Sequence, residues 1–143
     1  GKQLKFLQDV LKNEASGVNN IFVFFHQLLW WENNNIYKKV SLNSHEGRAN
    51  QINFWGEVEP LFNNLSNRTY MFAGDVGAFS TGSEFMYHRY DNITLIASGM
   101  GGGIRDNFII VDVYEDSSVS FRLIALNGAN VNALGELEDY ELP

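Results

Sequence analysis

The stretch that most restricts the fold open to this chain is Ile21-Phe22-Val23-Phe24-Phe25-His26. It is a continuous run of apolar, β-prone residues with no polar alternation. A strand with one wet face alternates apolar and polar residues; a run like this one suits a parallel strand covered on both faces. Its neighbours agree. Residues Lys2 to Asn13 place Leu4, Leu7, Val10 and Leu11 on one face, with Phe6 flanking it, as an amphipathic helix does. Phe54 to Leu65 reads as a second helix interrupted by Gly56 and Pro60, and Arg68 to Ala73 as a second strand ending at Gly74-Asp75-Val76-Gly77.

Beyond that point the pattern becomes antiparallel. Phe85 to Tyr90 and Ile93 to Ser98 pair as strands around a turn at Asp91-Asn92. Phe108 to Tyr114 and Val119 to Leu126 read as a hairpin across Glu115-Asp116-Ser117-Ser118. The expected fold class is α/β: a mixed sheet with two helices and a C-terminal antiparallel β region. Residues 1–143 form one expected domain, with only Pro60 and Pro143 as prolines and no internal repeat. Gln27 to Asn53 is expected to be mostly a long loop, of the kind that is functional or mobile. Residues 127–143 form an acidic tail carrying Glu136, Glu138, Asp139 and Glu141, expected to be only partly ordered.

Composition excludes several classes. The 143 residues are 45% hydrophobic and 14% aromatic, which gives a real core rather than a disordered chain. The net charge of −7 argues against broad binding to a nucleic-acid backbone, which needs clustered Lys and Arg. With no cysteine, disulfide scaffolds and Cys-based zinc sites are ruled out. No apolar run approaches the roughly 20 residues of a membrane span. No signal peptide is visible, and Gly1 lacks an initiator Met, so it is read as foreign to the natural chain.

Four stretches together resemble the C-terminal half of calcineurin-like metallophosphoesterases. Gln3-Leu4-Lys5-Phe6-Leu7-Gln8-Asp9-Val10-Leu11 is similar to a family helix. Ile21 to His26, followed by Gln27-Leu28, is similar to the strand that ends in a metal-binding His. Tyr70-Met71-Phe72-Ala73-Gly74-Asp75-Val76-Gly77 stands where the family has a strand followed by Gly-His-x-His. Ile93 to Gly103, with Gly99-Met100-Gly101-Gly102-Gly103, then Phe108 to Val113, looks like the family's glycine-rich ending. The resemblance covers about residues 2 to 126. It implies a partial metallophosphoesterase-like sandwich, a divalent metal (Mn, Fe or Zn) in the complete parent, and a small phosphoester substrate. It also implies that His26 is a metal ligand, with Asp75 as a second oxygen ligand.

The departures from the family pattern are as informative. The first-half motifs Asp-x-His, Gly-Asp and Gly-Asn-His are missing in that role, and Gly77 has no side chain to offer. A two-metal phosphoesterase clamps the phosphate between cations and activates water; such cations need several carboxylate and imidazole ligands. Two ligands hold a metal weakly, so the isolated chain is expected to be inactive, with a weak metal site or none.

Each candidate has a plainer alternative. His26 at a strand end is also what a hydrogen-bonded histidine near the core looks like. Asp75 in Gly-Asp-Val-Gly also fits a simple turn. His45 and Arg48, in the long loop, are candidate contacts for a substrate phosphate or else solvated loop residues. His88 reads as a surface or structural residue. Trp30, Trp31 and Trp55 suit a stacking platform or, more often, a core or interface. The glycine cluster precedes a strand, so it lacks the helix N-terminus of a phosphate loop. Asn64, Asn67 and Asn92 begin glycosylation sequons. Three functions remain in view: a hydrolase completed by upstream sequence, a degenerate relative kept for binding or scaffolding, and a small domain that associates with itself.

Overall fold

The structure is a computed structural model that describes residues 1–30, 53–76, 85–99, 103 and 105–142, with backbone only at 85 and 86. Helix α1 spans Lys2–Glu14 and leads through a 3-10 turn, Ala15–Gly17, into strand β1, Asn20–Phe25. A π-helical turn, Phe54–Val58, runs into the short helix α2, Glu59–Asn63. Strands β2 (Arg68–Ala73), β3 (Phe85–Tyr90), β4 (Ile93–Ser98), β5 (Asn107–Val113) and β6 (Val119–Ala125) follow, and a 3-10 turn at Leu137–Tyr140 lies near the end.

The sheet order is β1-β2-β4-β3. Strands β1, β2 and β4 are parallel, and β3 runs antiparallel to β4. The β5–β6 hairpin forms a separate two-stranded sheet. The α/β class with a mixed sheet, two helices and an antiparallel β region is therefore what the chain adopts. Alternation along the strands divides the core into two. Ile21, Val23, Phe25, Met71, Ile93 and Leu95 face the helical layer, where Leu7, Leu11, Phe54 and Phe62 meet them. Phe22, Tyr70, Phe72, Tyr87 and Ile96 face the hairpin, against Phe121 and Leu123. Burial of this apolar area is what holds the three layers together.

The second expected helix is shorter and broken. Pro60 sits in the first turn of α2, where its missing N–H leaves no helix hydrogen bond unmade. Asn53 caps the π turn by accepting from the Gly56 amide at 3.0 Å. A Cβ at position 56 would come within 2.9 Å of three side-chain atoms of Asn53, so the cap requires glycine there.

Two asparagines tie the N-terminal ends of the parallel strands together. Asn67 Nδ2 donates to the carbonyls of Ala15 (2.8 Å) and Val18 (2.6 Å), satisfying the exit of α1. Asn92 Nδ2 faces the carbonyls of Phe62, Leu65 and Asn67 at 3.0, 3.0 and 2.8 Å, pinning the β3–β4 turn under α2. The tip of the β5–β6 hairpin docks at the same end. Ser117, with φ 66°, accepts on its carbonyl from Asn20 Nδ2 and on its hydroxyl from Asn19 Nδ2, each at 2.9 Å.

The acidic C-terminal stretch differs from the expectation of a loosely held tail. Leu137 is fully buried in the hairpin-side core. The Leu142 amide donates to the Tyr87 carbonyl at 2.9 Å, so the chain end lies along the outer edge of β3. The apolar residue inside an acidic sequence decides the outcome: burying Leu137 stabilises the docked state while the carboxylates stay in water. Among the described residues no helix is long and apolar enough to cross a membrane.

Candidate functional site

In an α/β sheet, ligands gather beyond the carboxyl ends of the strands, because loops leave there and no side chain fills the crevice. Here Phe25, Ala73 and Ala97 stand in one row across β1, β2 and β4. The next row is His26, Gly74 and Ser98. The Gly74 amide donates to the His26 carbonyl at 3.2 Å, extending the ladder by one residue. A Cβ on Gly74 would lie 3.4 Å from that carbonyl oxygen and 3.9 Å from the Ser98 oxygen.

His26 is exposed just past β1. The chain leaving it is anchored at once by Leu28 and Trp30, both fully buried. Trp30 packs against Phe25 and Phe54, and its carbonyl accepts from Trp55 Nε1 at 3.2 Å. These two tryptophans therefore belong to the core rather than to a stacking platform, and Trp31 lies outside the described residues.

Asp75 has φ 65°, a left-handed conformation that L residues rarely adopt. Its Oδ2 is buried and accepts no hydrogen bond. The residue as a whole is half-buried. Backbone strain of this kind costs about 1–3 kcal/mol and clusters at functional sites. A buried acceptor left without a donor costs about 1–3 kcal/mol more.

The third strand end is sealed by glycine. A Cβ on Gly99 would sit 1.8 Å from the Val76 carbonyl oxygen, inside any permitted contact. The backbone after β4 thus lies directly on the backbone after Asp75. Asn107, the first residue of β5, is only 1% exposed and reaches the same place. Its Nδ2 faces the carbonyls of Gly99 (3.4 Å) and Arg105 (3.1 Å), while its Oδ1 is buried without a partner. Asp106 Oδ1 accepts from the Gly103 amide at 3.0 Å, and Asn127 Nδ2 donates to the Gly103 carbonyl.

The strand ends therefore bring His26 and Asp75 to one edge of the sheet, and add Asn107, which sequence reasoning missed. His45 and Arg48 lie outside the described residues. His88 is half-buried on β3, opposite Leu95; burial lowers its pKa, and Glu141 works weakly the other way. Glu59, buried near Tyr90 and Asp91, sits at the opposite end of the sheet. Desolvation raises its pKa, a hydrogen bond with Tyr90 opposes that, and Asp91 adds to it.

Asp75 Oδ2 and Asn107 Oδ1 are both buried without a hydrogen-bond partner. Among the described residues, no three His, Cys, Asp or Glu side chains cluster as a metal site on their own. Comparison with known protein families, with curated proteins and with solved structures finds no match.

Proposed function

We propose that this chain is a metal-dependent phosphoester hydrolase-like domain, resembling the C-terminal half of a metallophosphoesterase and inactive alone. The observation that carries the reading is the buried, unpartnered carboxylate oxygen of Asp75, one row beyond His26 at the carboxyl ends of parallel strands. When bound, a divalent cation would neutralise phosphate oxygens and activate water. The chain's own part is to hold that charge: Asp75 by a carboxylate that has no other partner, His26 by an exposed imidazole. Leu28 and Trp30 fix where His26 starts from, and Gly74 and Gly99 let the backbones close up around the site. Calorimetric titration of Mn²⁺ into the wild type and His26→Ala tests the reading. Saturable binding lost in the variant supports it; no binding by the wild type removes it.

A specific observation favours a second reading, a self-associating scaffold. Among the described residues nothing pairs with the outer edge of β1, whereas β3 is flanked by the chain end. Phe24 on β1 is 72% exposed and stacks on Phe72 at 5.1 Å. An apolar edge strand without a charge or proline invites pairing with another strand.

A further inference from the structure

We infer that α1 is a dimerisation helix, packing antiparallel against α1 of a second copy of this chain across a two-fold axis. Lys2, Phe6, Val10 and Glu14 follow one another along α1 at steps of four, so they form one ridge on its surface. All four are exposed, Phe6 at 70% and Val10 at 38%. The helix packs Leu7 and Leu11 against the core and buries no residue fully. Two apolar side chains thus stand in the middle of an exposed ridge, with a positive charge at one end and a negative charge at the other.

Such a ridge is complementary to itself. Reversed about a point midway between Phe6 and Val10, it sets Phe6 against Val10 of the second copy and Lys2 against Glu14 of the second copy. Gln3 and Asn13, both exposed, exchange places by the same operation, so amide meets amide. A two-fold interface requires this reciprocity, because one surface patch serves both sides. Ridges built on four-residue steps interdigitate with the helices crossing at about −50°.

The charges run against what a lone helix prefers. The helix dipole favours acidic side chains in the first turn and basic ones in the last. Lys12, off the ridge, follows that rule, whereas Lys2 and Glu14 stand at the wrong ends and the first turn holds no acidic residue. Among the described residues neither Lys2 nor Glu14 has an ion-pair partner within the chain. An antiparallel second copy supplies both partners. The inference deepens the self-association reading but names a face other than the β1 edge.

The test is analytical ultracentrifugation of the full chain at concentrations up to about 1 mM, since one helix pair is smaller than the about 1,200 Å² of stable interfaces and holds weakly. The variants are Phe6→Lys, Lys2→Glu, Glu14→Lys, the double swap Lys2→Glu with Glu14→Lys, and Phe24→Lys, each checked for a cooperative thermal transition. Phe6→Lys is expected to stay monomeric where wild type dimerises. Each single charge reversal is expected to weaken the dimer by about 3-fold or more, and the double swap to restore it to within about 2-fold. A double swap as weak as the single reversals would overturn the inference. Dissociation by Phe24→Lys with none by Phe6→Lys would also overturn it, leaving the β1 edge as the interface. A wild type that stays monomeric throughout removes the inference and the self-association reading together.

Discussion

Gly99 and Val76 approach so closely that a Cβ on Gly99 would stand 1.8 Å from the Val76 carbonyl oxygen. Two loops that leave different strands are thereby pressed together beneath the candidate site. Neither side of this contact is a flexible side-chain tip, so nothing yields cheaply. Gly99→Ala should destabilise the fold by about 2 kcal/mol or more through overpacking. Urea unfolding measures it, and a loss below about 0.5 kcal/mol would contradict the close approach.

Asn92 should matter more than an exposed turn residue does. Its single Nδ2 group faces three carbonyls, of Phe62 in α2 and of Leu65 and Asn67 in the α2–β2 connection. Asn92→Ala leaves these without that donor, and about 2–3 kcal/mol of stability should go with it. Asn92→Asp keeps the shape but sets a carboxylate against the carbonyls, so it should be at least as damaging. Chemical denaturation of both variants checks this; a harmless Asn92→Asp would mean the amide contributes nothing.

Glu59 makes a pH prediction. It is 9% exposed, and desolvation raises its folded pKa above that of the unfolded chain. The folded state therefore holds the proton more tightly. Its favourable contribution is fully present below the unfolded carboxylate pKa and is lost as pH rises through the folded one. Glu59→Gln should accordingly gain stability over wild type as pH rises from the acid side of that window to neutral. Denaturation midpoints across the range read the difference, and a constant difference would contradict it.

Much of the fold was legible because its strands are short contiguous apolar runs. β2, β3 and β4 have the bounds read from sequence, and α1 and the β5–β6 hairpin shift by about one residue. The second helix was harder, since Gly56 and Pro60 mark an interruption without saying that the first sits in a π turn and the second opens a short α-helix. The asparagine ties were invisible. Asn67 reaches back 52 residues to Ala15, and Asn92 spans 25 to 30 residues to its carbonyls, distances that leave no local pattern. All that sequence offered at Asn67 and Asn92 was a sequon; folded, Asn67 is buried and the Asn92 amide is committed to carbonyls. At the site, His26 and Asp75 were nominated from strand ends. Asn107 was not, because its only local sign is a position after the glycine cluster.

Phe24 tests the second reading. Phe24→Lys places a charge on the open edge of β1 at a site already exposed, so folding should survive. If the wild type self-associates through this edge, sedimentation should show a monomer for the variant at concentrations where wild type is dimeric. A variant that associates as strongly as wild type would exclude the β1 edge.

The central claim is that Asp75, with its left-handed backbone and its buried, unpartnered Oδ2, serves a cation. Asn is at home at φ 65°, so Asp75→Asn keeps the backbone and removes only the charge. The most direct measurement is the melting temperature of wild type and Asp75→Asn, with and without saturating Mn²⁺. Without metal the variant should melt higher, because a neutral amide costs less than a carboxylate to hold at a buried, unpartnered position. With metal the wild type should rise by several degrees and the variant should not move, since only a state that binds the ion is stabilised by it. Equal responses of both proteins to Mn²⁺, or a variant that melts lower without it, would contradict the account.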